Sequence, residues 1–235
     1  MKKTALITGG SRGIGAATVE KFAKNGYTVI VNYNKSQQAA KQLADSLNAQ
    51  GCDVHIFRAD MSEPRQIDEI FAYVSTFFKH LDVLVNNAGV SVTGLMQDIS
   101  TEQLDKLWAV NARAPYLCCK AALPLLVRSN SPAVVNVSSL WGLHGASCEV
   151  AYAMTKHAVV GLTKSLSKEW SDSEIAVNCV CPPIVLTDMC ANLSQADIDE
   201  FCLQNQCKAY SAKQIAEDIF LLATSGKTRT IREEK

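Results

Sequence analysis

Short apolar runs and longer segments of helical spacing alternate along this chain. Ala5-Leu6-Ile7, Thr28-Val29-Ile30-Val31, Val54-His55-Ile56-Phe57, Val83-Leu84-Val85, Val134-Val135-Asn136-Val137 and Ile175-Ala176-Val177-Asn178-Cys179-Val180 read as strands. Between them, Ala40, Leu43, Ala44 and Leu47 recur at three- and four-residue intervals, as do Ile67, Ile70, Phe71, Val74 and Phe78. That spacing lines one face of a helix. Ser62-Glu63-Pro64-Arg65 marks the start of the second of these helices, with Pro64 near the first turn. Strand, helix and strand repeated with short loops predict a parallel α/β sheet with helices on both faces, because parallel neighbours need crossovers and these are right-handed. The 235 residues, 48% of them hydrophobic, can bury one sizeable core, and no repeat, low-complexity tract or linker divides them. A single domain over residues 1–235 is expected.

Charge narrows the possible partners. Lys plus Arg and Asp plus Glu each number 23, so there is no net field to hold nucleic acid or anionic lipid, and neither is an expected partner. Nine cysteines scattered through strands and helices suit a reducing cytoplasm. Cys179 and Cys181 alternate along one strand, with no His nearby in sequence to complete a zinc-ligand spacing, and read as packing thiols; no metal is expected. Met1-Lys2-Lys3 resembles the basic front of a signal peptide, but the apolar run that follows ends at Thr8. Export and membrane anchoring are not expected.

In open parallel sheets, ligands bind beyond the carboxyl ends of the strands. The residues there are polar: Thr8-Gly9-Gly10-Ser11-Arg12-Gly13-Ile14-Gly15, then Asp60, Asn86-Asn87-Ala88-Gly89, Ser138-Ser139 and Pro182-Pro183. Taken singly, each is ordinary loop chemistry. The first, between a strand and a helix, also lets backbone N–H groups approach a pyrophosphate. Tyr152 and Lys156 stand four apart and share a helix face. An ammonium beside a phenol favours the phenolate, so the pair is expected to lower the tyrosine from its ordinary value near 10. Ser139 can hydrogen-bond a substrate carbonyl oxygen alongside Tyr152, with hydride supplied by a nicotinamide.

Thr-Gly-x-x-x-Gly-x-Gly, Asn-Asn-Ala-Gly, Asn111, Ser139 and Tyr-x-x-x-Lys occur in that order, and the set resembles the short-chain dehydrogenase/reductase family from Lys3 to about Ala223. The resemblance implies a doubly wound Rossmann fold. It implies Tyr152 as general acid/base, Lys156 as ribose ligand and modulator of Tyr152, Ser139 as the group polarising the carbonyl, and Asn111 as holder of a relay water. Ser139, rather than Ser138, matches the family's spacing of thirteen residues before the tyrosine. The implied cofactor set is Gly9, Ser11, Arg12, Gly13, Ile14 and Gly15 at the pyrophosphate turn, Asp60 and Met61 at the adenine, Asn87, Ala88 and Gly89 beside the adenosine ribose, and Val185 and Thr187, with Thr187 near the carboxamide. Tyr152 and Lys156 also belong to it. NADP is expected over NAD, because the second strand ends in Asn32-Tyr33-Asn34-Lys35 without an acid to accept from a ribose 2′-hydroxyl, while Arg12 can meet a 2′-phosphate.

Ser138-Ser139-Leu140-Trp141-Gly142 and Gly161-Leu162-Thr163-Lys164-Ser165-Leu166 resemble 3-oxoacyl-(acyl-carrier-protein) reductases. The tract through Glu149 to Tyr152 resembles a relative, the elongation factor P 5-aminopentanone reductases, which act on a modified translation factor. Trp141 and Glu149 are candidate substrate residues: an indole can cover an alkyl chain or a cation, and a carboxylate can meet an amine. Each also has a plain role, as a wall beside the nicotinamide and as a helix-N-terminal charge. Two departures from the family stand out. Pro183 replaces a glycine, and Ser225 through Lys235 lack the family's last apolar strand, so that strand is expected to be missing. The segment from Ala191 to Tyr210 also lacks the Pro and Arg that relatives carry near Cys207 and Lys208. The expectation is a cytoplasmic NADPH-dependent ketone reductase, homodimeric or homotetrameric through the helices of Asn111 and Tyr152. A non-catalytic NADP-binding sensor is the rival of a different class.

Overall fold

Residues of the central strands in this chain are buried on both sides. Ala5 and Ile7 enter one apolar layer and Leu6 the other, and Val29 and Val31 oppose Ile30 in the same way. Each such burial contributes roughly 1.5–3 kcal/mol for a Leu or Ile. In a computed structural model, which describes residues 2–190 and 193–233, the elements are β1 (Thr4–Ile7), α1 (Gly13–Lys24), β2 (Thr28–Tyr33), α2 (Gln37–Ala49), β3 (Asp53–Arg58), α3 (Pro64–Phe77), β4 (Val83–Asn86), α4 (Thr101–Trp108), α5 (Ala114–Leu126), β5 (Ala133–Val137) and α6 (Val150–Glu169). They continue with β6 (Ala176–Cys181), β7 (Val185–Leu186), α7 (Gln195–Gln204), β8 (Tyr210–Ser211), α8 (Ala212–Thr224) and β9 (Ile231–Glu233). Met1, Ala191, Glu234 and Lys235, on which parts of the sequence reading fall, lie outside the described residues.

Seven parallel strands form one sheet in the order β3-β2-β1-β4-β5-β6-β9. One layer packs α1, α2 and α8 on the sheet through Val19, Phe22, Leu47, Ile215 and Ile219. The other packs α3, α5 and α6 through Ile67, Phe71, Cys118, Leu125 and Leu166. The chain winds outward from β1 in one direction and from β4 in the other, so a crevice opens at their carboxyl ends. All six strands and both helices read from the pattern are present, the second helix starting at Pro64.

The expected loss of the last strand is wrong. Ile231–Glu233 pairs in parallel with Cys179–Cys181 as the seventh strand. Ile231 is its only apolar residue, packed with Val159, Val160, Cys179 and Cys181. Polar ties hold the rest: Arg229 N donates to Val177 O at 3.0 Å, Thr230 N to the Asn178 side chain at 2.9 Å, and Arg232 pairs with the buried Asp218 at 2.6 Å. Such a strand leaves no hydrophobic period in the sequence. On α6, Ala153 and Val159 are buried inward rather than offered to a partner, whereas Gly161 is exposed.

Candidate active site

After β1 the backbone turns through left-handed conformations at Gly9 (φ +64°) and Gly13 (φ +55°), which favour glycine. A Cβ on Gly15 would stand 2.2 Å from the Gly9 carbonyl oxygen, so α1 begins hard against the turn. Its first N–H groups face the crevice with no acidic residue in the first turn, a cradle for a phosphate. The end of β4 braces this turn. Asn87 Nδ2 donates to the carbonyls of Thr8 and Gly9 at 2.9 and 3.1 Å, and Thr8 Oγ1 accepts from Asn87 N and Ala88 N, each at 3.0 Å. Asn32, at the end of β2, accepts from Gly9 N at 3.1 Å. Thr187 lies on the other side, its Cγ2 3.3 Å from where a Gly13 Cβ would be. Ser11 and Ile14 are half-buried in the turn, and Val185 is buried at the start of β7. Arg12 is exposed and lies 3.8 Å from Asp188.

The loop after β3 forms the crevice's next edge. Asp60 accepts from Ser62 N and Oγ at 2.8 and 2.6 Å, and Met61 is buried beside it. Burial alone would raise the Asp60 carboxyl, but the Ser62 hydrogen bonds and the Lys106 ammonium hold it below its ordinary value. Lys106 of α4 donates to Ser62 Oγ at 2.7 Å, and Arg113 to Ser62 O at 2.7 Å, so this loop is clamped from the segment that carries Asn111.

Residues 109–113 form a π-helical turn between α4 and α5. Such turns re-aim side chains within helices. This one turns Asn111 inward, where its Oδ1 accepts from Val90 N at 2.9 Å and its Nδ2 donates to Val90 O at 2.8 Å and Thr155 Oγ1 at 3.1 Å. Asn111 Oδ1 and Lys156 Nζ lie 3.5 and 3.6 Å from where a Gly89 Cβ would stand, which brings β4, the π-helical turn and α6 to one point.

Lys156 is buried, donates to Val137 O at 3.0 Å, and has its Nζ 5.6 Å from the Tyr152 ring centroid. Burial pushes its ammonium down to about 8, against the opposing effect of the Cys179 and Cys181 sulfurs. Those two thiols are buried, with sulfurs 3.8 Å apart. Ser139 Oγ accepts from Trp141 N at 3.2 Å and lies near enough to Tyr152 to favour its ionised form. Ser138 is turned away, donating to Lys156 O at 2.9 Å. The expected lowering of Tyr152 is not found: burial raises the phenol above its ordinary value, the neighbouring Ser139 hydroxyl opposes this, and the Glu149 carboxylate adds to the rise. The Lys156 ammonium does not offset this rise.

Trp141 and Glu149, proposed separately from the sequence, meet each other: Trp141 Nε1 donates to Glu149 Oε2 at 2.6 Å. Glu149 is half-buried, and burial raises its carboxyl above the usual range despite that bond. Pro182 O accepts from Leu140 N at 2.8 Å, fixing the strand end beside Ser139. The sequence reading gave no bracing role to Thr8, Asn32, Lys106 or Thr155, each of which braces a functional loop. Thr155, inside the Tyr-x-x-x-Lys segment, was the one most open to detection.

A family described as short chain dehydrogenase matches residues 3–198. The uncharacterized oxidoreductase YmfI of Bacillus subtilis is 38% identical over 201 residues, 85% of this chain and 82% of that protein. The 3-oxoacyl-[acyl-carrier-protein] reductase FabG of Staphylococcus aureus is 35% identical over 194 residues, 83% of this chain and 79% of its own. Among solved structures, a mutant Serratia marcescens short-chain dehydrogenase/reductase superposes with a TM-score of 0.90 at 27% identity, covering 98% of this chain and 95% of that one. A blue fluorescent protein from a metagenomic library, in complex with NADPH, gives 0.89 at 27% identity over the same shares. With this match over most of its length, and with its glycine turn, π-turned Asn111 and Ser139-Tyr152-Lys156 cluster on one crevice, the chain is an oxidoreductase of the short-chain dehydrogenase/reductase family.

Proposed function

We propose that this protein is an NADPH-dependent reductase that converts a ketone to a secondary alcohol, with 3-oxoacyl carrier-protein thioesters as the substrate class. The observation that carries this reading is the buried Lys156 with its Nζ 5.6 Å from the Tyr152 ring, beside Ser139 and at the strand ends that also hold the glycine turn. The Gly9, Gly13 and Gly15 cradle, where Cβ atoms would intrude, fits a pyrophosphate. Asp60, Met61, Asn87, Ala88 and Gly89 would hold the adenosine half, and Lys156, Val185 and Thr187 the nicotinamide half. The absence of an acid at Tyr33-Asn34, the exposed Arg12 and the similarity to an NADPH-bound structure support NADP over NAD.

When bound, the dinucleotide supplies the hydride. Ser139 and Tyr152 hydroxyls hold the substrate carbonyl oxygen, and Tyr152 gives it a proton as charge develops there. A phenol raised by burial is held protonated at neutral pH, so the tyrosine stands loaded for reduction. Lys156 and the water expected at Asn111 return the proton. The similarity to FabG of Staphylococcus aureus supports an acyl thioester.

A second reading is favoured by the half-buried Glu149 carboxylate beside Tyr152: a ketone carrying an amine, such as the 5-aminopentanone modification of elongation factor P. Either enzyme would work in the cytoplasm as a homo-oligomer. The test is NADPH oxidation with an acetoacetyl thioester in parallel with an aminoketone-modified peptide. Preference for the thioester upholds the first reading, preference for the aminoketone replaces it with the second, and NADPH binding without turnover on either leaves the sensor.

A further inference from the structure

Glu149, Trp141 and Phe201 form a chain of contacts leading from the catalytic helix to α7. Glu149 is the residue immediately before α6, three positions before Tyr152, and its backbone carbonyl accepts from Ala153 N at 2.8 Å. Its position is therefore set by the same helix turn that places the tyrosine. Its Oε2 takes the Trp141 indole N–H at 2.6 Å, while Trp141 N is tied to Ser139 Oγ. The indole is thus held at both its backbone and its ring. On the held ring sits Phe201, edge to face, with centroids 5.5 Å apart and planes at 68°.

Little else secures α7. Ser194 caps its start within the helix's own first turn, and Ile198 is its only buried residue among those described. Leu203 is 81% exposed. A helix with so few buried contacts opens at low free-energy cost, and one aromatic contact is then a large part of what holds it. The segment that precedes α7 in sequence begins at Thr187, which lies against the glycine turn.

We propose that Glu149 is a positioning residue: by fixing the Trp141 indole, it builds the seat on which Phe201 docks α7 at the edge of the active site. The three side chains act in series. Loss of any one frees α7, and loss of a second adds little. Substrate capture, rather than the proton transfer at Tyr152, depends on this latch. Its kinetic consequence rests on the reductase reading, whereas its structural consequence does not.

The test is a double-mutant cycle on the full chain with Glu149→Leu, Phe201→Ala and the pair, with Glu149→Gln as the conservative variant. Hydrogen exchange of the α7 amides is read first, because it needs no substrate. A hydrogen bond to a carboxylate is strong enough to shift an opening equilibrium about 10-fold or more. The expected result is α7 exchange faster by about that factor in both single variants, no faster in the pair, and near the parent rate in Glu149→Gln, whose amide oxygen still accepts from the indole. With a turned-over ketone, KM rises by a similar factor while kcat changes less and NADPH affinity holds. Unchanged α7 exchange in Glu149→Leu, or additive effects in the pair, overturns the latch. Faster α7 exchange with no turnover on any ketone by the parent protein leaves the latch standing and removes the reductase reading instead.

Discussion

Replacing Lys156 with Met should stabilise the cofactor-free protein at neutral pH and lose that advantage as pH rises. Lys156 Nζ is buried beneath Tyr152, and its ammonium is displaced from an ordinary 10.5 to about 8. At about 1.36 kcal/mol per pH unit, holding that charge in the fold at pH 7 costs about 3 kcal/mol. The unfolded lysine binds its proton more tightly than the folded one, so the parent protein gains stability as pH rises from about 8 towards 10.5. Between pH 7 and pH 9.5 the gain is about 2 kcal/mol. Met has no proton to bind and lacks this slope. Removing the hydrogen bond to Val137 O lowers the Met variant's stability at both pH values, because a neutral amine still donates it, and other titrations, apart from the Cys179 and Cys181 thiols that feel the ammonium, are common to both proteins. Urea unfolding of the two cofactor-free proteins at pH 7 and 9.5 should therefore show the stability difference moving by about 2 kcal/mol in favour of the parent at the higher pH. Parallel pH dependence of the two proteins would refute the claim that burial, rather than compensating charge, governs Lys156.

Gly15→Ala should lower the urea midpoint and abolish dinucleotide binding: the new Cβ would lie 2.2 Å from the Gly9 carbonyl oxygen, and the about 1 kcal/mol gained in helix propensity does not offset such overpacking. Unchanged NADPH titration would show that the turn can yield. Arg12→Ala should weaken NADPH at least about 10-fold and NADH little, since its exposed guanidinium is paired, among the described residues, with the exposed Asp188 and a 2′-phosphate bond is charge-assisted; equal losses for both cofactors would contradict it. Trp108, Tyr116 and Met154 stand exposed on α4, α5 and α6, so sedimentation across concentration should find at least a dimer, and a persistent monomer would remove that expectation.

Much of this architecture was readable because its signals are local. A run such as Thr28-Val29-Ile30-Val31 announces a strand buried on both faces, and Ile67, Ile70, Phe71 and Val74 trace a helix stripe. The polar residues that follow the strands also meet, since a doubly wound sheet brings its strand ends to one edge. Ile231–Glu233 escaped notice because its attachment comes from Asn178, Asp218 and backbone groups distant in sequence, with only one apolar residue of its own. The Tyr152 environment escaped for a related reason: four-residue spacing predicts that Lys156 is near, but not that it is buried beside a half-buried Tyr152. Trp141 and Glu149 could each be singled out, while their mutual bond depends on the loop's course between them.

In the proposed NADPH-driven ketone reduction, Tyr152 donates the proton. Tyr152→Phe tests it most directly, because it removes one hydroxyl and leaves the ring, with turnover of the preferred ketone measured alongside NADPH affinity. Turnover should fall by at least about 100-fold, the lower end of what general acid catalysis contributes, while NADPH affinity changes little. Near-parental turnover in Tyr152→Phe, with the product alcohol still formed, would contradict it.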